Sequence, residues 1–193
     1  CIRDSLYAVD NLPSEDRNFL SKLVFLDHIS ELDAVRLVKN EDAINQLQRL
    51  SDEGIFISRI AGDSPAYQLN QLIRTVLLEK LKANRNEWLT TASLSAEICQ
   101  DSGESLTAME IYSSIGEEEK AKEIAVSNIQ IMMTTANTDL MRKWAPRIAE
   151  SFGVPKLATK ILNVYGELSA GNFEVAQVLI SEIEVDPELQ KYT

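Results

Sequence analysis

The chain has 193 residues, and 45% of them are hydrophobic, which is typical of a globular rather than a disordered protein. Nineteen Lys and Arg against 30 Asp and Glu give a net charge of −11, so the surface as a whole disfavours a polyanionic partner. One His and two Cys exclude a Cys/His zinc site. No apolar run reaches the roughly 18 residues of a membrane span, and no clustered glycine-rich loop is present to hold a phosphate. We therefore expect a cytoplasmic, non-enzymatic chain, and its first residue, Cys1, suggests a piece of a longer protein.

The N-terminal part of the sequence has the apolar spacing of short helices. Ser14, followed by two acids, predicts the start of a helix that runs to about Leu26. Ser30, with Asp33 three positions later, predicts a capping box at the start of a second helix. The apolar stripe expected on that helix consists of Leu32, Val35 and Val38.

A third helix and a β-hairpin are predicted next. Asn40 is expected to cap the third helix, and Gly54 is expected to close it in left-handed geometry. The inward residues of this helix are expected to be Ile44, Leu47 and Leu50. Residues 55–60 are short and β-branched, 61–65 have turn chemistry, and Tyr67 and Leu69 alternate with polar neighbours, which predicts two strands. Helical spacing returns after Asn70, so residues 1–83 are assigned to a winged-helix-like module in a mainly α fold.

Residues 84–193 carry no strand pattern and are assigned to a TPR-like array of antiparallel helical hairpins. Gly103, Gly116 and Gly171 are each followed five positions later by alanine, which allows a neighbouring helix to approach closely. Gly103 and Gly171 lie 68 residues apart, twice the roughly 34-residue tetratricopeptide period. Coincidence among three matches stays open as the alternative to this register.

Prolines predict further helix boundaries within this helical array. Pro146 is expected to end or kink the helix near Ala145, because proline lacks the backbone donor of a helix interior. Pro155 is expected to be the first residue of the next helix, and Asp186-Pro187 is expected to stop the last one. The inward residues predicted after Pro155 are Leu157, Ala158, Ile161, Leu162 and Tyr165.

Several phrases of the sequence carry a family resemblance. Leu12-Pro13, Phe25-Leu26-Asp27, "INQLQRLSDEGIFI" and "AYQLNQLIRTVLLEKL" resemble the segment after the ATPase domain in MalT-like bacterial transcriptional regulators, which are STAND ATPases. The stretch "DSGESLTAMEIYSSIGEEEKAKEI" is similar to the helical arm of that family. The family often has histidine just before the last helix of the winged module, where this chain has Asn70.

The resemblance implies a division of labour in a larger regulator. ATP would bind only to an absent N-terminal domain, the arm would sense a protein partner or a small inducer, and a LuxR-type domain beyond the arm would bind DNA in many relatives. No cofactor, metal or membrane contact is expected in this fragment itself.

DNA binding through the winged helix is an alternative that the sequence disfavours. The third helix, about Glu41–Glu53, carries four acids against Arg49 alone. Major-groove recognition combines base-reading side chains with basic flanks for the phosphates. We therefore expect this module to pack within the protein instead.

The last candidate site is the groove that stacked helical hairpins leave on one face. The aromatic residues that would line it are Trp88, Tyr112, Trp144 and Tyr165. Core packing is the alternative role for each of them. The leading hypothesis is a non-catalytic regulatory fragment whose arm binds a signal or partner, and a second alternative is a stand-alone TPR-like protein-interaction scaffold.

Overall fold

A computed structural model describes residues 7–61, 65–134, 137–150, 155–187 and 189. Within these ranges the protein is mainly helical, with one three-stranded sheet. The first part comprises α1 (Ser14–Leu23), β1 (Ile29–Ser30), α2 (Glu31–Val38), α3 (Ala43–Glu53), β2 (Ile57–Ile60), β3 (Ala66–Leu69) and α4 (Gln71–Lys82). The later helices are α5 (Arg85–Asp101), α6 (Ser105–Ser114), α7 (Glu118–Ser127), α8 (Ile129–Thr134), α9 (Thr138–Ala149), α10 (Pro155–Ser169) and α11 (Phe173–Glu184).

The chain forms two compact units, Cys1–Ile115 and Gly116–Thr193, called the first and second unit below. The first unit contains the sheet and helices α1 to α6, and the second contains α7 to α11. The sequence predicts a domain boundary after residue 83, where a pattern of helices and strands is followed by one of helices alone. This boundary stays a prediction.

The sheet and its flanking helices form a winged helix, as predicted. Strands β2 and β3 pair antiparallel from Ile57 opposite Leu69 to Ile60 opposite Ala66. The predicted turn, 61–65, falls between these strands, and its residues 62–64 lie outside the described residues. A third strand, β1, was not predicted and pairs with the other edge of β3. The fully buried core between sheet and helices includes Leu20, Leu23, Ile29, Leu47, Leu50, Ile57, Leu69 and Leu77.

The capping box at Ser30 is confirmed, but the predicted stripe of α2 is wrong. The Ser30 hydroxyl accepts from the Asp33 N–H at 3.1 Å, and the Asp33 carboxylate accepts from the Ser30 N–H at 3.2 Å. Ala34 and Leu37 are buried, whereas Leu32 is 67% exposed and Val35 and Val38 are half-buried. Because Ser30 belongs to a paired strand, the sheet sets the rotation of the helix that follows it.

Helix α1 begins at Ser14 as predicted but ends at Leu23, before the predicted Leu26. The start of α3 also differs from the prediction. Asp42 rather than Asn40 precedes α3. The Asn40 side chain accepts from the Asp42 N–H at 3.1 Å, so it stabilises the turn before the helix. Gly54 has φ 70° and closes α3 as expected.

Glycine corners recur in the helical parts of both units, as the glycine–alanine spacing predicted. Gly103, Gly116 and Gly171 have φ of 81°, 84° and 78°, a left-handed conformation that favours glycine. The alanines five positions later, Ala108, Ala121 and Ala176, are buried. Among the described residues after Leu69 the structure contains helices and turns without a strand.

The helix around Pro146 does not end at Ala145. Helix α9 continues through the proline to Ala149. A proline in a helix interior costs about 3 kcal/mol, but burying one large apolar side chain stabilises by about 1.5–3 kcal/mol. Met141, Trp144 and Ile148 are all buried on the same helix, so tertiary packing outweighs the missing hydrogen bond.

Helix α10 begins at Pro155 as predicted, but part of its inward face differs. Leu157 and Leu162 are buried, whereas Ile161 and Tyr165 are exposed. The buried arc passes instead through Gly166, where an added Cβ would lie 3.0 Å from the Cβ of Met141 on α9. This close approach of two backbones turns Ile161 and Tyr165 away from the core.

Candidate functional site

The polar side chains of α3, the helix at the DNA-reading position of a winged helix, are bound within the protein. Gln46 Nε2 donates to Asp16 Oδ1 on α1 at 2.8 Å, and Arg49 Nη2 donates to the same oxygen. Gln48 Nε2 donates to Glu31 Oε1 on α2 at 3.0 Å. These bonds engage three of the four α3 side chains of the types that contact bases or phosphates.

The fourth side chain, Asn45, is also engaged, since its Nδ2 donates to Asp42 Oδ1 at 3.0 Å. The carboxylate of Asp16 is nearly fully buried, and its hydrogen bond with Arg49 raises the pKa of that guanidinium. A second carboxylate, Glu53, accepts from Arg49 Nη1 at 3.0 Å. A DNA phosphate would compete with these carboxylates for Arg49, so the contacts of α3 agree with the acidic composition of the helix in disfavouring DNA.

Trp88 lies in an apolar groove of the first unit with a volume of about 480 Å³. Its ring packs edge-on against Phe25, with centroids 4.9 Å apart and an interplanar angle of 63°. The ammonium of Lys82 lies 5.6 Å from the centre of the Trp88 ring. The other residues along this groove are Val24, Asp27, Arg74, Leu78, Thr107, Glu110, Ile111 and Ser114.

Arg74 fixes one wall of this groove. Its guanidinium donates to the carbonyl oxygens of Val24 at 2.6 Å and Leu26 at 2.5 Å, and to Asp27 Oδ1 at 2.5 Å. The carbonyl groups after the end of α1 are thereby satisfied without water. Sequence patterns did not predict the role of Arg74, because its partners lie about 50 residues upstream.

Two of the other predicted site residues, Tyr112 in the first unit and Trp144 in the second, are buried. Tyr112 is buried, and its hydroxyl donates to Gln100 Oε1 at 3.2 Å. Trp144 is fully buried, with the guanidinium of Arg147 at 4.8 Å from its ring. Neither ring has surface for a ligand, so both serve the core, which was the alternative role considered for them.

Tyr165 is the exposed member of the predicted set in the second unit. It is 47% exposed and lies between Ile161 and Leu168, which are 38% and 39% exposed. The three residues follow the i, i+4, i+7 spacing of one helix face and form what we call the α10 stripe. Exposed large apolar residues at that spacing are typical of a surface that another helix covers.

Two buried titratable side chains, Glu167 and Cys99, lie next to glycine corners of the chain. Glu167 on α10 accepts from Asn172 Nδ2 at 2.8 Å and from the guanidinium of Arg142 on α9. The Asn172 bond, followed by Arg142, lowers the pKa of this nearly fully buried carboxyl. Cys99, at the equivalent place before the Gly103 corner, is buried, and burial raises the pKa of its thiol to about 12.

Comparison with known protein families gives a match within the first unit. Residues 8–89 match the family model of the MalT winged helix domain. The matched span begins before α1 and ends within α5, so it includes the sheet, the α3 contacts and Trp88. It covers less than half of the chain. No curated protein and no solved structure matches the chain.

Asn70, which stands where the MalT-like family often has histidine, has a structural role in this chain. The Asn70 side chain caps α4 by accepting from the N–H groups of Leu72 at 3.0 Å and Ile73 at 3.4 Å. A helix start therefore forms where the resemblance predicted a histidine. In the described ranges no helix is long and apolar enough to cross a membrane, and no three His, Cys, Asp or Glu are grouped to hold a metal ion.

Proposed function

We propose that the chain is a non-catalytic regulatory segment of a MalT-type transcription regulator, in which the winged helix packs on another protein domain rather than on DNA. The match over residues 8–89 supports a transcription-regulator fragment. The observation that carries the second half of the proposal is that Asn45, Gln46, Gln48 and Arg49 on α3 all donate to carboxylates of the same domain.

Exposed apolar residues of the winged helix support protein packing. Leu32, Ile55 and Leu72 are 67%, 58% and 45% exposed, and each is a large side chain at the surface of a small domain. Central apolar side chains of an interface each contribute about 1–2 kcal/mol or more on truncation. The proposed occupant is the ATPase domain that precedes this module in MalT-like regulators.

Binding to that ATPase domain, expressed from the upstream part of the reading frame, tests the proposal. We expect Ile55→Ser and Leu72→Ser each to weaken the affinity for the 193-residue chain about fivefold or more. Tyr165→Ser in the second unit is the matched control and should leave this affinity unchanged. Equal affinities for all variants, or no complex at all, would contradict the packing role.

The second unit is proposed to bind a protein partner or inducer, as the arm of the parent regulator. The α10 stripe supports a partner surface, because Ile161, Tyr165 and Leu168 are apolar and exposed on one helix face. A partner that binds one orientation of the arm more tightly would shift the parent between its states.

A pulldown with the chain distinguishes this role from the alternative of a stand-alone TPR-like scaffold. A partner that is retained by the chain and released by Tyr165→Ser supports binding through the α10 stripe. Retention by the full-length parent only would show that the arm is not the receptor.

A further inference from the structure

A cleft of about 640 Å³ lies in the first unit, where α1, the end of α2 and the start of α5 meet. Its volume is within the range of small-molecule sites in proteins. Leu37, Val38 and Leu94 supply apolar walls. The polar and charged residues along it are Lys22, Lys39, Asn84, Asn86, Glu87, Thr90 and Thr91.

Thr91 is the polar side chain that points to a ligand in this cleft. It is 7% exposed, yet among the described residues its hydroxyl has no hydrogen-bond partner. Its neighbour Thr90, in contrast, donates to the Asn86 carbonyl at 2.9 Å. The buried polar atoms that lack a partner among the described residues are Ser95 Oγ, Arg147 Nη1 and Asn163 Oδ1, and the Thr91 oxygen is not one of them. It therefore keeps accessible surface on the cleft, where its hydroxyl can exchange water for a bound molecule.

Lys22 and Lys39 give the cleft its charge preference. Within the described ranges neither ammonium group has a carboxylate partner, although the chain carries eleven more acids than bases. Other lysines of the first unit are paired, for example Lys80 with Asp10 at 2.7 Å and Lys82 with Glu79 at 2.8 Å. Two unpaired ammonium groups beside one cleft therefore create a local positive region.

The start of α5 adds to this positive region. The N-terminus of a helix carries partial positive charge and attracts anions. The carboxylate of Glu87 also lies along the cleft, but the Asn84 side chain binds it at 3.0 Å and ties it to the helix cap. The negative end of a ligand is consequently expected next to the two lysines.

We propose that this cleft binds a small organic anion. Its phosphate or carboxylate group lies between Lys22 and Lys39, its apolar part packs on Leu37 and Leu94, and the Thr91 hydroxyl donates a hydrogen bond to it. This site is separate from the α3 contacts and from the packing role of the winged helix.

Titration calorimetry of the 193-residue chain with phenyl phosphate, benzoate and inorganic phosphate tests the proposal. We expect saturable binding of phenyl phosphate or benzoate that weakens as salt rises, with inorganic phosphate binding more weakly because it lacks an apolar part. Tighter binding of phenyl phosphate identifies a phosphate site, and tighter binding of benzoate identifies a carboxylate site. No saturable binding of any probe up to tens of millimolar would overturn the proposal.

Three variants locate the binding in the cleft. Lys22→Gln combined with Lys39→Gln should weaken the affinity about tenfold or more, and Thr91→Val about fivefold. Lys156→Gln is the control, because Lys156 is an exposed lysine of the second unit and has no carboxylate partner among the described residues. Thermal unfolding verifies that each variant is folded. If Lys156→Gln weakens binding as much as the double variant, the anions bind to surface charge and the proposed site is wrong.

Discussion

Helix α3 and helix α10 use their outward side chains in opposite ways. On α3, Gln46 and Arg49 donate to the buried carboxylate of Asp16, so the donors are already bound within the winged helix. On α10, Ile161 and Tyr165 are more than a third exposed although they are large and apolar. The donors of α3 are engaged by carboxylates of the winged helix, whereas α10 leaves large apolar side chains exposed on one face.

The largest expected effect separates the buried aromatic residues from the exposed one. Because Trp144 is fully buried, Trp144→Ala should lower the free energy of unfolding by about 3–5 kcal/mol. Tyr165→Ala should change it by less than about 1 kcal/mol, since that ring is half exposed. Urea unfolding followed by circular dichroism measures both. Similar losses for the two variants would contradict the assignment of Trp144 to the core and Tyr165 to the surface.

The α3 side of the comparison is tested by removing the charge of Asp16. Asp16→Asn should lower the free energy of unfolding by about 1–3 kcal/mol, because it weakens two hydrogen bonds at a buried site. The control Glu53→Gln removes an exposed partner of Arg49 and should cost less than about 1 kcal/mol. The same urea titration serves here. A larger effect at Glu53 than at Asp16 would show that the buried carboxylate does not anchor α3.

The two glycine corners allow a comparison that depends on pH. Glu167 precedes the Gly171 corner and Cys99 precedes the Gly103 corner; the Asn172 N–H donates to the Glu167 carbonyl at 2.9 Å and the Glu104 N–H to that of Cys99 at 2.7 Å. The lowered pKa of Glu167 means that the folded protein binds its proton less tightly than the unfolded chain. Its stabilising contribution is therefore complete above the unfolded pKa of about 4.3 and is lost as pH falls through the lower, folded pKa.

We expect Glu167→Gln to lower the free energy of unfolding by about 1–3 kcal/mol near neutral pH and to have less effect at about pH 3. Cys99→Ala should show no such change with pH, because a thiol with a pKa of about 12 is neutral throughout that range. Urea titrations of both variants at several pH values measure this. A Glu167→Gln effect that is constant with pH would exclude the proposed role of the carboxylate.

The smallest expected effect on stability belongs to the α10 stripe. Ile161→Ser should change the free energy of unfolding by less than about 1 kcal/mol, since the side chain is partly exposed. Leu162→Ser, one position along on the buried side of the same helix, should cost considerably more. Circular dichroism of the two variants compares them. A large loss for Ile161→Ser would mean that the stripe belongs to the core and is not a partner surface.

The parts of the fold that were predicted correctly depend on residues close together in the sequence. The capping box needs only Ser30 and Asp33, and the hairpin needs two β-branched segments separated by turn residues. Gly54 likewise ends α3 through its own conformation. Local chemistry of this kind acts in the same way whatever the rest of the chain does.

The features that were missed depend on contacts between distant residues. Strand β1 has two residues and exists because it pairs with β3, with Ile29 opposite Tyr67. The exposure of Tyr165 follows from how closely α9 and α10 approach where Gly166 meets Met141. For the candidate sites, spacing showed that the acids of α3 disfavour DNA, but it did not show that Asp16 on another helix binds Arg49.

The most direct test of the proposal that α3 does not bind DNA is the anisotropy of a labelled DNA duplex titrated with the 193-residue chain at low salt. We predict no saturation up to about 100 µM protein, because the donors of α3 are bound to carboxylates and its flanks are acidic. Saturable binding that weakens with salt, and that is lost on Gln48→Ala and Arg49→Ala, would contradict the account.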